Sequence, residues 1–265
     1  MSNIKLILGD CLEQMDKLIE QSVQVDMIFT DVPYGTTNRN KWDEVIPFDE
    51  MWLRLHKLSN ERTPILLFGD EPFTSKLICS NLKEFKQRIT WDKQLPSGFL
   101  NAHKMLLKQT EDICLFYKKL PTYNPQMADA KLENIRPISK EGYTSLNYGG
   151  HKTKHSKGYD NTKRYPTNLF SYSKVKGECN NLNRLHPTQK PVELLENWIK
   201  TYSNENNIIL DFTMGVGSTG IACIETNRNF IGIELDDKYF DISVNRINTY
   251  IKENNLKNVN VEIIK

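Results

Sequence analysis

Short apolar stretches alternate with helically spaced ones along most of this chain, and that alternation limits the fold more than any other feature. Lys5–Leu8 reads as a strand ended by Gly9-Asp10, and Leu12–Gln21 has helical spacing through Leu12, Met15, Leu18 and Ile19. Val23–Thr30 predicts a buried strand running into Asp31-Val32-Pro33-Tyr34-Gly35. Phe48–Leu58 puts Met51, Trp52, Leu55 and Leu58 on one helix face. Thr63–Phe68 reads as a strand, Phe73–Leu82 as a helix, and Gln87–Trp91 and Asp112–Tyr117 as two further strands. Later come helix Val192–Ser203, strand Ile208–Asp211, helix Ser218–Thr226, strand Phe230–Glu234, helix Lys238–Lys252 and a last strand, Val259–Ile264. Strands separated by helices imply an α/β fold, a mostly parallel sheet with helices on both faces.

A length of 265 residues suits one large α/β domain, or one with a smaller insertion. No apolar run approaches the roughly 18 residues of a membrane span, so no membrane association is expected. The apolar stretch after the first residues is too short for a signal peptide. Cys11, Cys79, Cys114, Cys179 and Cys223 are scattered, with no C-x-x-C. They argue for a reducing compartment, with a cytoplasmic location expected, and against a disulfide framework or zinc ribbon. The formal charge of +2 argues against a uniformly basic nucleic-acid binder, but it is an average. Segment 121–185 holds eleven Lys and Arg against five acids, a local +6, which leaves −4 on the remainder.

Two turns carry the chemistry. Asp211-Phe212-Thr213-Met214-Gly215-Val216-Gly217-Ser218 follows a strand and opens a helix, and Gly215 and Gly217 permit a tight turn and close approach to a ligand. The spacing of Gly215, Gly217 and Gly220 reads as one residue short of the dinucleotide fingerprint. Glu234, at the end of the next strand, can accept both hydroxyls of a ribose, so a nucleoside-type ligand is favoured. The absence of G-K-[ST] argues against a nucleoside triphosphate. The plainer alternative is a tight strand-to-helix turn with a solvated glutamate.

Asp31-Val32-Pro33-Tyr34 ends a buried strand, where open α/β sheets place ligands. A carboxylate, a carbonyl held by a rigid proline and a flat aromatic face suit an exocyclic base amine. The two acceptors take its N–H groups and the ring stacks on the base. The alternative is an ordinary proline turn with a tyrosine packed nearby.

Taken together, these residues resemble the amino-methylating DNA methyltransferases, N6-adenine or N4-cytosine, that use S-adenosylmethionine. Asp31-Val32-Pro33-Tyr34 resembles the family's D-P-P-Y, and Asp211–Ser218 its D-P-F-x-G-S-G-T. Gly9-Asp10-Cys11-Leu12-Glu13 matches G-D-C-L-E, and His186-Pro187-Thr188-Gln189-Lys190-Pro191 matches H-P-T-x-K-P. The catalytic motif precedes the cofactor motif, as in the permuted β group. Val32 replaces the usual first proline, and Thr213 stands where the family has Phe.

The resemblance implies a Rossmann-like methyltransferase sheet over 1–120 and 186–265, with a target-recognition insertion over 121–185. It implies adenine-N6 transfer in duplex DNA at a specific sequence, by base flipping and direct in-line attack. Asp31, Pro33 and Tyr34 would be catalytic. Asp10 and Cys11 would lie near the cofactor's adenine, Glu234 at its ribose, and Gly215 and Gly217 along its methionine part. His186, Thr188 and Lys190 would close over the same region. Asp31, Asp211, Phe212, Thr213 and Ser218 complete the implied cofactor set. No covalent enzyme intermediate is needed, whereas cytosine-C5 methylation needs a cysteine nucleophile, typically after a proline, and none of the five cysteines follows one. A homodimer and a cognate restriction endonuclease are the partners implied besides double-stranded DNA.

A cytosine-N4 enzyme on the same scaffold, an inactive DNA-binding module, and an RNA or protein methyltransferase are the rival readings. In the middle segment, Lys152, Lys154, Lys163 and Arg164 are candidate DNA contacts among interleaved tyrosines and asparagines. The alternative there is a solvated surface insertion. Arg39 and Lys41, in the loop after the catalytic turn, are candidates for phosphate contact. His151 and His155 stand at helical i, i+4 spacing, but zinc needs more ligands than these two, so no metal is expected.

Overall fold

The computed structural model describes residues 2–35, 44–135, 143–145, 151–153, 160–173, 185–186 and 189–265. Arg39, Lys41, Lys154, His155 and Thr188 lie outside the described residues, and Lys152 is described by its backbone alone. The chain forms two compact units, 1–124 with 168–265, and 125–167.

In the larger unit the elements run β1 (Ser2–Leu8), α1 (Cys11–Glu20), β2 (Met27–Thr30), α2 (Phe48–Leu58), β3 (Ile65–Gly69), α3 (Phe73–Ser80), β4 (Phe85–Ser97) and β5 (Lys108–Phe116). The smaller unit holds β6 (Ala128–Asp129), β7 (Tyr143–Ser145), β8 (His151–Thr153) and β9 (Lys163–Arg164). The chain then returns through β10 (Leu169–Ser171), α4 (Val192–Tyr202), β11 (Ile208–Asp211), α5 (Ser218–Glu225), β12 (Asn229–Glu234), α6 (Asp237–Glu253) and β13 (Val259–Ile264).

Among the described residues, nine strands make one sheet in the order β10-β4-β5-β3-β2-β11-β12-β1-β13. Every neighbouring pair is parallel except the two involving β5, so β5 alone runs against the rest. The strands alternate sides as a period of two requires. Ile4, Leu6, Met27, Phe29, Leu66 and Phe68 face the layer of α4, α5 and α6, where Leu195, Ile199, Ile221, Phe240 and Ile247 are buried. Ile7, Ile28, Ile65, Leu67, Leu210 and Ile233 face α1, α2 and α3, against Met15, Leu18, Met51, Leu55 and Leu77. The sheet is thus covered on both faces.

The expected elements recur with small shifts at their ends. Val23–Asp26 is not part of the sheet strand: after the turn through Ser22 at φ 57°, Val25 makes only an isolated bridge to Ser59 before β2 begins. Composition marks off 121–185, whereas the compact unit is 125–167. Residues 168–173 rejoin the large sheet, where Leu169, Phe170 and Ser171 pair with Thr90, Trp91 and Asp92. Among its described residues, the smaller unit contains two short antiparallel pairs, β6 with β9 and β7 with β8. His151–Thr153 being strand removes the helical spacing read between His151 and His155.

Candidate active site

The site forms where helices leave adjacent strands on opposite sides. β2 leads to α2 on one face and β11 to α5 on the other, and β2 and β11 are neighbours. Open α/β sheets bind ligands in the crevice such a reversal leaves at the strand C-termini. Here a cavity of about 440 Å³ is lined by the ends of β1 (Asp10, Cys11), β2 (Thr30 to Tyr34), β3 (Phe68), β11 (Asp211 to Gly215) and β12 (Glu234). That volume is in the range of small-molecule sites. Among the described residues, no three His, Cys, Asp or Glu side chains are grouped to hold a metal.

The two motif turns, 180 residues apart in sequence, are stitched together. Thr30 Oγ1 donates to Asp211 Oδ1 at 2.5 Å and accepts from Phe212 N at 2.9 Å. Thr219 Oγ1 donates to Asp211 Oδ2 at 2.6 Å. Thr213 Oγ1 donates to the Asp31 carbonyl at 3.0 Å. The departure at Thr213 therefore supplies a hydroxyl tie between the turns. Val32, the departure in the first motif, is 3% exposed and packs in the core beneath α1–α3, where a compact apolar side chain fits. Phe212 is fully buried in that same core.

The glycine turn divides its labour. Gly215 (φ 54°) lines the cavity, and a Cβ there would meet nothing within 4 Å. Gly217 (φ 75°) faces α6 instead, where a Cβ would stand 3.1 Å from Ile247 Cδ1 and 3.2 Å from Ser243 Cβ. Only glycine tolerates such a left-handed conformation without strain. Gly215, Gly217 and Gly220 do meet the G-x-G-x-x-G spacing, so the expectation of a missing residue is wrong. Spacing alone does not make a dinucleotide site. Ser218 Oγ accepts from Arg246 Nη1 at 3.0 Å, which also donates to the Val216 carbonyl at 2.9 Å.

Glu234 ends β12 with both carboxylate oxygens in use, accepting from Gly215 N at 2.8 Å and Asp236 N at 2.9 Å. Burial nevertheless pushes its carboxyl up to about 7, because desolvation outweighs those two bonds. Burial likewise raises Asp211 to about 6, against three hydrogen bonds that favour its charged form. Asp10 caps α1, accepting from Leu12 N at 2.9 Å and Glu13 N at 3.1 Å. Burial and the neighbouring Asp10 push the Cys11 thiol up to about 12, so it is no nucleophile at neutral pH. His186 meets the Tyr239 ring edge-on, with centroids 4.3 Å apart.

Asp31 belongs to a charged row that the sequence does not announce. Lys190 Nζ donates to Asp31 Oδ2 and, at 3.0 Å, to Glu111 Oε1. Tyr34 Oη lies 2.6 Å from Asp31 Oδ1 and 3.1 Å from Glu111 Oε1. Lys93 Nζ stands 3.7 Å from Glu111 Oε2. Lys190 thus sits on the catalytic-turn side of the cavity, its ammonium 4.7 Å from the Phe68 ring centre. Burial raises Asp31, with Lys190 pulling the other way. Burial also works against the charge on Glu111, but Lys190 and Lys93 outweigh it and hold Glu111 below its ordinary value. Glu111 precedes the expected strand 112–117 by one residue. The alternation of Ile113 and Leu115 puts it on a buried face, and a lone acid there was the readable signal.

In the smaller unit, Lys163 pairs with Asp129 at 2.5 Å, and Arg164 donates to the carbonyls of Asn161 and Lys163 at 2.8 and 2.9 Å. Part of the donor capacity of both candidate DNA-binding residues is therefore used within the unit.

Residues 25–245 match a family model described as DNA methylase, N6_N4_Mtase. The chain is 28% identical to the type II methyltransferase M.HpaI of Haemophilus parainfluenzae over 92% of this chain and 74% of that one. It is 27% identical to the DNA adenine methyltransferase YhdJ of Escherichia coli K12, over 91% and 82%. The solved complex of M1.HpyAVI with SAM is similar at a TM-score of 0.60 and 26% identity, covering 92% of this chain and 99% of that one.

Proposed function

This chain belongs to the N6_N4_Mtase family of DNA methylases, and on that premise we propose that it methylates adenine N6 at a specific sequence in duplex DNA, using S-adenosylmethionine. The observation that carries the reading is the Thr213 bond to the Asp31 carbonyl, which joins the amine-binding turn to the cofactor turn at one cavity.

The cavity residues fit that cofactor. Glu234 offers a buried carboxylate at a strand end for ribose hydroxyls, and Gly215 leaves open the space a side chain would fill. Asp10, Cys11 and His186 line the remaining wall. S-adenosylmethionine, when bound, supplies a sulfonium methyl whose carbon–sulfur bond breaks with its electron pair left on sulfur as the amine nitrogen takes the carbon.

The chain's own residues prepare the nitrogen. An exocyclic amine is a weak nucleophile because its lone pair is delocalised into the ring. Asp31 and the Pro33 carbonyl accept its two N–H groups and favour a tetrahedral nitrogen with that pair freed. Tyr34 stacks on the extruded base. Asp31, accepting one of those N–H groups, takes the proton that the methylated nitrogen sheds. The enzyme's contribution is orientation and electrostatics.

A cytosine amine presents the same two N–H groups. The alignment with the adenine methyltransferase YhdJ supports adenine. The test is to express the protein in a methylation-free host and digest the DNA to nucleosides. N6-methyladenine is expected; N4-methylcytosine without it would overturn the choice.

The proposal assigns target recognition to the 121–185 segment, with Lys152, Lys154, Lys163, Arg164, Arg39 and Lys41 on phosphate. It also extends to a cytoplasmic location, a homodimer, testable by sedimentation, and a cognate restriction endonuclease, testable by whether modified DNA resists cleavage. Among the described residues no helix is long and apolar enough to cross a membrane.

A further inference from the structure

Asp31, Lys190, Glu111 and Lys93 form a row of alternating charge: carboxylate, ammonium, carboxylate, ammonium. Lys190, Glu111 and Lys93 have side chains only 8%, 12% and 10% exposed, while Asp31, at the cavity end, is 21% exposed. Buried charges persist only when paired. A pair of Asp31 with Lys190 would satisfy that requirement alone, so the second carboxylate calls for a reason.

The reason lies in the charge that develops during transfer. The amine nitrogen becomes cationic as its bond to carbon forms, taking over the positive charge that the sulfonium loses. In an isolated Asp31–Lys190 pair the ammonium would repel that charge. Glu111 offsets Lys190 from the other side, and its own second partner, Lys93, stands farther off at 3.7 Å, so the carboxylate end of the row faces the reacting nitrogen. Tyr34 Oη has one proton and two carboxylate neighbours, so it also joins Glu111 to the stacking platform.

Granted the methyl-transfer reading, we infer that Glu111 is a positioning residue for it: it shares the Lys190 ammonium and the Tyr34 hydroxyl with Asp31, and so holds the Asp31 carboxylate in place for the target amine. Nothing in the motif resemblance assigns Glu111 a role. Among the described residues, the titratable groups that face Asp31 or its partners include Lys93, Glu111 and Lys190 in the row, Tyr34 beside it and Asp211 beneath the turn.

The row makes opposite demands on Asp31, which gives a test. Glu111 opposes ionisation of Asp31 and Lys190 favours it. In DNA-free protein carrying carbon-13 at aspartate carboxyls, with the Asp31 signal assigned by Asp31→Asn, Glu111→Gln should move the Asp31 titration to lower pH. Lys190→Gln should move it to higher pH. In single-turnover transfer, Glu111→Gln should be slower by about tenfold or more, the size of a displaced electrostatic interaction. Glu111→Asp should recover part of that loss, and cofactor affinity by calorimetry should stay within about threefold of wild type.

Should Lys190→Gln not fold, the Glu111 variants decide. An unmoved Asp31 titration in Glu111→Gln, or a Glu111→Asp no faster than Glu111→Gln, overturns the inference. Wild-type protein that transfers no methyl to adenine overturns the underlying reading instead.

Discussion

Cofactor affinity should fall as pH drops below about 7, and Glu234 is the reason. Its carboxyl is raised to about 7 by burial, and only the ionised form accepts two ribose hydroxyls. With that value, roughly nine-tenths of Glu234 is ionised at pH 8 and one-tenth at pH 6, so the dissociation constant should be about tenfold weaker at pH 6. Asp211, raised to about 6, adds roughly a further twofold where its charged form is needed. Calorimetric titration with S-adenosylmethionine at pH 6, 7 and 8, in two buffers of different ionisation enthalpy, gives both affinity and protons released. Close to one proton should leave per cofactor bound at pH 6. Glu234→Gln should bind weakly at every pH with the slope much flattened. The same group acts oppositely on the cofactor-free fold. Its folded value lies above the ordinary carboxylate value, so the native state holds the proton more tightly and stability falls as pH rises from about 4.5 through 7. Between pH 6 and 8 that amounts to about 1 kcal/mol, or a few degrees in melting temperature. An affinity constant across pH 6–8, or a full slope retained in Glu234→Gln, would refute the reasoning.

Asp31→Ala should abolish transfer while leaving cofactor affinity within about tenfold, or 1.4 kcal/mol; near-normal tritium transfer to DNA would refute its catalytic role. Gly217→Ala should lower stability by about 1–2 kcal/mol from its left-handed φ alone, more with the crowding against Ile247 and Ser243, read by chemical denaturation. Gly215→Ala has space for its methyl, so it should share only the backbone strain and instead weaken cofactor binding, as calorimetry would show. Removing Lys152 and Lys154 together should lower the slope of log affinity against log salt by about 0.9 for each phosphate they neutralise, measured on duplex DNA. Lys163→Gln should cost less, because Asp129 already pairs with Lys163.

Periodicity disclosed the sheet well because its central strands β2, β3, β11 and β12 are buried almost throughout and helices such as α1, α2 and α4 bury one face. Met51, Trp52, Leu55 and Leu58 line the buried face of α2 as their spacing requires. Strand order was not legible, since β10 pairs with β4 residues 79 positions earlier and carries three residues of little pattern. At the site, Asp31 and Glu234 were legible because each stands at the end of an apolar run. Thr30 and Thr219 were not, because a threonine beside a core strand looks like packing until Asp211 is found beneath it.

The same contrast explains where electrostatics escaped the sequence. The net charge of +2 separates into −4 and +6 along the chain, which composition can show. The row from Asp31 to Lys93 joins residues from β2, β4, β5 and the approach to α4, and no window of sequence contains two of its links. Adjacent antiparallel β4 and β5 bring Lys93 and Glu111 together, and the parallel order of β3 and β2 beside them carries the row to Asp31. Strand order therefore supplies an electrostatic feature as well as a shape. Reversing β5 to match its neighbours would move Glu111 to the opposite end of the sheet from Asp31 and break the row in its middle.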